Sequence, residues 1–447
     1  MEPHTIMPHV DARGVAMSGA TPEALAAFEA SLARLVGGER DPLAPLDAML
    51  GDASDFAMGH ALRAGAAIMA DESPDAPALL RAVRAIERDS AATERELRHA
   101  RAARAYIEGD GARALALYGE IAVDLPRDLL ALRVAHALDF RLSARPMLRD
   151  RVAQALPHWS PDVPAFGHVV AMHAFGLEEN GELDAAEAEA HRALAHEPGC
   201  AAAIHVLAHV CEMRGRAADG IALVERTRSV WEGNALANHI QWHLAVFHLD
   251  QGALDRALSI YDTALAPGAS PAGGTLVDAS ALLWRLELRG VALPGRWDAL
   301  ARAWARQRLR GARAFNVVHA VVALAGARHF RRARKTAALL QDDATARREE
   351  RREDVDLATA FSAALIAFAH GDYGRAVDRI GEVRSRADRC GGSIAQCDLI
   401  HLTLIEAALR GARDRLARAL VAERAARRPA SRLSRWLCAR AALPVAA

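Results

Sequence analysis

Two histidines and a carboxylate stand at i, i+4 and i+7 in the segment AAAIHVLAHVCEMRG: His205, His209 and Glu212. On a helix of 3.6 residues per turn all three project from one face. Two imidazoles with a carboxylate suit Zn²⁺, Fe²⁺ or Mn²⁺. The segment NHIQWHLAVFHLDQG repeats the spacing with His239 and His243. The metal candidates are therefore His205, His209, Glu212, His239 and His243, and the cofactor they suggest is a divalent transition metal. The same residues have two plainer readings. They line a groove for a protein, peptide or small-molecule ligand, or they form a structural cluster, since a neutral imidazole in a core needs only two partners. His173, beside Glu178 and Glu179 in MHAFGLEEN, reads as structural or as groove lining. Trp242 and Phe175 read as packing.

Two further segments carry polar groups in suggestive places. TLVDASALLWRLELRG holds Asp278, Ser280 and Arg285, with Asp278 and Arg285 at i, i+7 on one face. That spacing gives either a charge pair on a helix surface or a carboxylate and a cation turned into a groove. RCGGSIAQCDLIHL places Gly391, Gly392 and Ser393 before a helix start. Such a start presents backbone N–H groups to an anion, or is an ordinary N-cap. No GxxxxGK[ST] phosphate loop, GxSxG elbow or HExxH motif occurs, and Cys390 and Cys397 lack the second pair that zinc requires.

The elements that position these residues are legible as a repeat. The stretch FGHVVAMHAFGLEENGELDAAEAEAHRALAHEPG reads helix, turn, helix, with small residues Ala174, Ala186 and Ala193 where two helices cross and Pro198 closing the unit. A shift of 34 residues gives Ala208, Gly220 and Thr227; a shift of 37 from these gives Ala245, Ala257 and Ala264. The common extra three residues locate an insertion near Trp231–Ala237. Ala102, Ala114, Tyr118 and Pro126 upstream, and Ala364, Gly371, Tyr373 and Ala376 downstream, fit the same template. The clearest repeats are 95–128, 167–200, 201–234, 238–271 and 357–390. Residues 1–20 read as an N-terminal extension and 21–440 as a single tetratricopeptide-like helical domain, with Thr21 and Pro22 as a helix-start signal. Each helix pair exposes an apolar face that only the next pair covers, so stacking makes one core and a curved groove.

Composition bounds the rest. Alanine is abundant and β-branched runs are scarce, which favours helix and predicts little or no sheet. There are 56 basic and 56 acidic residues, and Lys335 is the only lysine. The balanced charge predicts no nucleic-acid partner, because phosphate binding needs a net basic face. The run Arg347, Arg348, Arg351 and Arg352 is interrupted by Glu349, Glu350 and Glu353 and reads as a solvated helix surface. Five cysteines without a CxxC pair fit reduced thiols. The N-terminus lacks a signal-peptide pattern and no apolar stretch approaches a membrane span, so a cytoplasmic protein with no membrane partner is expected.

Eight segments in order, DLLALRVAHALDF, MLRDRVAQALPHW, MHAFGLEENGELDAAEAEAHRAL, HVLAHVCEM, NHIQWHLAVFHLDQGALDRALSIYD, VDASALLWRLELRG, FNVVHA and GGSIAQCDL, resemble the tetratricopeptide repeat protein 38 family. The resemblance spans about residues 20–430. It implies an all-α fold, a tetratricopeptide-repeat α–α superhelix or solenoid, and names no reaction. Within the matching segments it singles out His136, Arg149, Asp150, His173, His205, His209, Glu212, His239, His243, Asp278, Arg285, Asn316, His319, Ser393, Gln396 and Asp398. Ala137 and Cys397 depart from the expected polar and basic types. So many polar residues in matching segments imply a shaped polar pocket.

Two functions follow as expectations. The first is a binding protein that holds a protein or small-molecule ligand in a concave, histidine-rich groove lined by His173, His205, His209, Glu212, His239, His243, Asp278, Arg285, Asn316, His319, Gln396 and Asp398. The second is a metal-dependent enzyme of hydrolase or lyase type, with Arg285 clamping an anionic substrate and His319 or Asp278 handling protons. A purely structural assembly protein is a third class. Convergence of the histidines separates the second from the first.

Overall fold

A computed structural model describes residues 9–50, 55–70, 77–269, 272–342, 352–389 and 391–443. The arginines at 347, 348 and 351, the glutamates between them, and Cys390 lie outside the described residues. So do the last residues of the 238–271 and 357–390 repeats. The fold is all-α: among the described residues there are 24 α-helices, and the only strands are the two-residue pair His9–Val10 and Ala16–Met17. No helix among them is long and apolar enough to cross a membrane.

Each expected repeat is a pair of helices joined by a short turn. The pairs are Glu94–Ile107 with Gly111–Asp124, Phe166–Glu179 with Leu183–His196, Ala201–Arg214 with Ala217–Arg226, and Ala237–Asp250 with Leu254–Ile260. The last continues as a π-turn over Tyr261–Leu265, which buries Tyr261 and Leu265 and leaves Ala264 only half-buried. The downstream pair is Arg352–Ala369 with Tyr373–Gly381. Starts are fixed by side chains that accept the otherwise unpaired first-turn N–H groups. Thr21 accepts from Ala24 with Pro22 in the first turn, and Thr93 and Ser393 each form a reciprocal capping box, with Glu96 and Gln396. Gly181 carries φ of 80° in the turn between two of these helices, a conformation that favours glycine.

The chain divides into two compact units: Met1–Val206 with Ser229–Ala235, and Leu207–Arg228 with Leu236–Ala447. The boundary falls inside the continuous Ala201–Arg214 helix. The insertion inferred near Trp231–Ala237 explains why a short outlier joins the first unit. Asn234 donates from Nδ2 to the Gly37 carbonyl at 2.6 Å, and the Ala235 N–H donates to the Gly38 carbonyl at 2.7 Å, so the segment is clipped to the end of the Pro22–Gly37 helix.

In the first unit the described part of the N-terminal extension is anchored rather than loose. Arg95 donates to Asp128 at 2.7 Å, to Asp11 at 3.2 Å and to the Ala16 carbonyl at 3.1 Å. His99 meets the same Asp128 oxygen at 2.9 Å, while the other oxygen caps the Leu129–Arg141 helix through the Ala131 N–H. Small residues hold the helix crossings: Ala174, Ala186 and Ala193 are fully buried. A Cβ on Gly176 would stand 2.5 Å from the Arg149 Cα and 2.6 Å from the Leu148 carbonyl oxygen. Backbone cannot yield there, so Gly176→Ala is expected to cost about 3 kcal/mol. Urea unfolding followed by circular dichroism reads this directly, and an unchanged midpoint would refute the close crossing.

In the second unit a continuous apolar core runs from Trp242 to Ala441. The helices that carry polar groups into it are Ala201–Arg214, Ala237–Asp250, Gly273–Leu288, Ala314–Gly326 and Ile394–Arg410. Two buried tryptophans are satisfied by hydroxyls: Trp284 donates to Thr403 at 3.0 Å and Trp304 to Ser280 at 2.9 Å. Ser280 therefore has a structural task.

Candidate metal centre

Three of the expected histidines converge within the second unit, His239 and His243 as an i, i+4 pair on one helix. His209 lies on the second-unit half of Ala201–Arg214, and His239 and His243 lie on Ala237–Asp250. Ring centroids are 4.7 Å apart for His209 and His243, 4.8 Å for His239 and His243, and 6.5 Å for His209 and His239. One ring nitrogen from each lies within 4.8 Å of the others. His209 and His243 are fully buried, whereas His239 keeps 20 % of its side chain exposed. The centre therefore has one accessible edge.

Two buried carboxylates orient these rings. His239 Nδ1 lies 2.9 Å from Asp278 Oδ2, and His243 Nδ1 lies 3.0 Å from Glu212 Oε2. Glu212 is thus a partner of a histidine. Asp278 is steadied in turn by Gln396, whose Nε2 donates to Oδ1 at 3.3 Å while its Oε1 accepts the Ser393 N–H at 3.0 Å. The Gly-Gly-Ser segment is accordingly a helix cap that holds Gln396 against Asp278. Trp242 stacks on His239 with 7° between the planes at 5.3 Å, and the Arg285 guanidinium lies 5.1 Å from the Trp242 ring.

The electrostatics follow from burial and neighbours. Burial works against charge on His239, but the Asp278 carboxylate and its hydrogen bond outweigh it and raise the pKa. His243 is held well below the usual imidazole range, first by burial and then by the positive potential of His209, His239 and Arg285. Glu212 is pushed up by burial, against the pull of Arg428, Arg285 and His209. His243 is therefore neutral, as a metal ligand must be.

Asp278 and Arg285 are not a surface charge pair. Both are buried; Asp278 faces His239 and Gln396, while Arg285 donates to the Ala281 and Ala395 carbonyls at 3.2 and 3.1 Å. The Gly273–Leu288 helix is buried on nearly every face, so neither end of the pair reaches solvent. His319 donates from Nδ1 to the Phe315 carbonyl at 2.8 Å, and burial lowers its pKa to about 4. At that value it is a weak proton acceptor near neutral pH. Asn316 is half-buried and has no side-chain hydrogen bond among the described residues. Asp398 is clasped by Arg424 at 2.7 Å and Arg428 at 3.2 Å.

The remaining candidates belong to the first unit. His173 Nδ1 is 3.4 Å from Glu189, and His136 meets the Met172 carbonyl at 3.1 Å with its pKa lowered to about 3 by burial. Arg149 joins Asp150 and Glu182 in a partly exposed ion network. His205 lies on the first-unit half of the Ala201–Arg214 helix, one turn before His209, with its ring 5.8 Å from that of Phe175. Sequence reasoning missed Arg424 and Arg428. Their i, i+4 spacing is visible, but it has no distinguishing mark in an arginine-rich chain. No known family model matches the chain.

Proposed function

We propose that the chain is a tetratricopeptide-type repeat protein, of the tetratricopeptide repeat protein 38 kind, that binds a divalent transition metal. In this reading His209, His239 and His243 are the ligands. The observation that carries it is the carboxylate–imidazole pairing: two of three converging histidines each present Nδ1 to a buried carboxylate. Ligand histidines are oriented in this way, with the partner fixing the tautomer and raising the basicity of the other nitrogen. Nitrogens about 2.0–2.1 Å from a tetrahedral ion stand roughly 3.3 Å apart, so small side-chain shifts close this cluster on an ion. The convergence favours a metal centre over a peptide groove, where the histidines would spread along a wall.

A bound ion would act as a Lewis acid and lower the pKa of bound water, which is hydrolase or lyase chemistry. The chain's own groups do the positioning: Asp278 and Glu212 hold the ligand rings, and the partly exposed edge at His239 admits substrate. Elemental analysis of the purified, untagged protein after supplementation with Zn²⁺, Fe²⁺ and Mn²⁺ is expected to give about one equivalent of one metal. A His209→Ala/His243→Ala variant with wild-type helicity should retain none. A wild-type protein that holds no ion after supplementation would leave the cluster as a hydrogen-bonded core and end the enzyme reading.

A further inference from the structure

Between Asp298 and Asp342 the chain holds ten basic residues and no acidic one, although its basic and acidic residues are equal in number overall. The segment that follows, 343–351, adds three of each sign and leaves the excess standing. Zero net charge over the whole chain therefore hides a strongly basic stretch, and phosphate binding depends on the local face. Two helices of the second unit display it. Arg296–Ala305 and Phe330–Asp342 both pack on Ala314–Gly326, with Ala301 and Ala333 buried in one cluster against Val321 and Leu324. Ala314–Gly326 is buried on nearly every face, so the polar faces of its two neighbours point outward. Arg302, Arg306, Arg308, Arg331, Arg332, Arg334 and Lys335 are exposed, and none makes an ion pair or side-chain hydrogen bond among the described residues. Carboxylates at the margin are already engaged: Asp298 faces His329 at 3.5 Å, while Asp262 and Glu287 meet Arg296 and Arg328 at 2.8 and 2.7 Å. Elsewhere in this unit surface arginines do find acids, as Arg389 finds Glu353 at 3.0 Å and Arg427 finds Glu423 at 2.6 Å.

We propose that this face binds the phosphodiester backbone of a double-stranded nucleic acid without reading its bases. Six of the seven free cations are arginine, whose planar fork matches a phosphate. The large apolar side chains exposed among the described residues are Val10 and Val123, both in the first unit, so the face offers neither a platform for unstacked bases nor a group to insert into a bilayer. The Arg296–Ala305 helix alone runs about 15 Å, and a duplex carries one charge per about 1.7 Å of axis, so the strip meets several phosphates at once. The inference stands apart from the metal reading, because it uses none of the histidines.

The test is fluorescence anisotropy on the full-length protein with labelled mixed-sequence duplexes of about 20 base pairs, one of DNA and one of RNA. Micromolar binding is expected at about 0.15 M salt, with log K falling against log salt at a slope of about −5. Arg331→Gln/Arg332→Gln/Arg334→Gln/Lys335→Gln, with wild-type circular dichroism, should bind at least about tenfold more weakly, with a slope shallower by about three. Arg413→Gln/Arg415→Gln/Arg418→Gln removes exposed charge elsewhere in the unit and should bind within about twofold of wild type. If the quadruple variant fails to fold, Arg302→Gln/Arg306→Gln replaces it. Binding to either duplex supports the proposal, and the tighter one tells DNA from RNA. Three results would overturn it: no binding to either duplex, equal losses in the two sets of variants, or sedimentation with phosphatidylserine vesicles in place of duplex binding. The last would assign the face to an acidic membrane surface.

Discussion

Asp398→Ala is expected to destabilise the second unit by about 3–5 kcal/mol, the loss typical when one partner of a buried ion pair is removed. The residue is 8 % exposed and, among the described residues, is the only carboxylate bonded to Arg424 and Arg428, themselves 7 % and 8 % exposed. Its removal leaves the buried Arg424 and Arg428 guanidiniums without the carboxylate they share. Burial alone would raise the Asp398 pKa, but the two arginines outweigh it and hold the carboxyl far below the usual range. Because the folded pKa lies below the unfolded value of about 3.9, its contribution is complete above that pH and is lost as pH falls further. Urea titrations should therefore show a large gap between wild type and variant at pH 7 that closes on acidification through pH 4. A gap below about 1 kcal/mol at pH 7 would mean that the arginines find other partners or solvent.

What the sequence reveals here depends on distance along the chain. The histidine pairs were legible because i, i+4 neighbours share a face on any helix. The helix pairs were legible because turn glycines and buried alanines recur at a fixed period. The Ser393 cap was legible for the same local reason, with Gln396 three residues on. The carboxylates that orient the rings were visible only as candidates. Glu212 looked like a ligand on its own helix, yet it serves His243, 31 residues away. Asp278 looked like a partner for Arg285 and instead serves His239, 39 residues away. One signal was available and went against the surface reading: VDASALLWRLEL is apolar on nearly every face, and a helix of that kind is buried. The unit boundary had no local sign at all, since it cuts a helix whose sequence runs on without interruption.

Asp278→Asn is expected to weaken metal binding by about 10–100-fold at pH 8, the usual effect of losing the carboxylate behind a ligand histidine. The variant also changes the pH dependence, with a sign that separates a ligand from a bystander. Metal competes with protons for imidazole nitrogen, so affinity falls as pH drops through the ligand's pKa. His239 is raised above its ordinary value by Asp278, while His243 is depressed and stays neutral across the range. The wild type should therefore lose metal as pH falls through the raised His239 pKa, with His239 protonating before His243. Asparagine keeps a hydrogen bond and removes the charge, so the His239 pKa falls and the onset of loss moves to lower pH. Competition titrations with a chelator from pH 6 to 8 read both effects, weaker binding with a later acid loss. A variant that binds as tightly as wild type, with an unmoved acid limb, would show that Asp278 has no hold on a ligand. His239 would then be a groove residue, leaving His209 and His243 too few ligands for the centre.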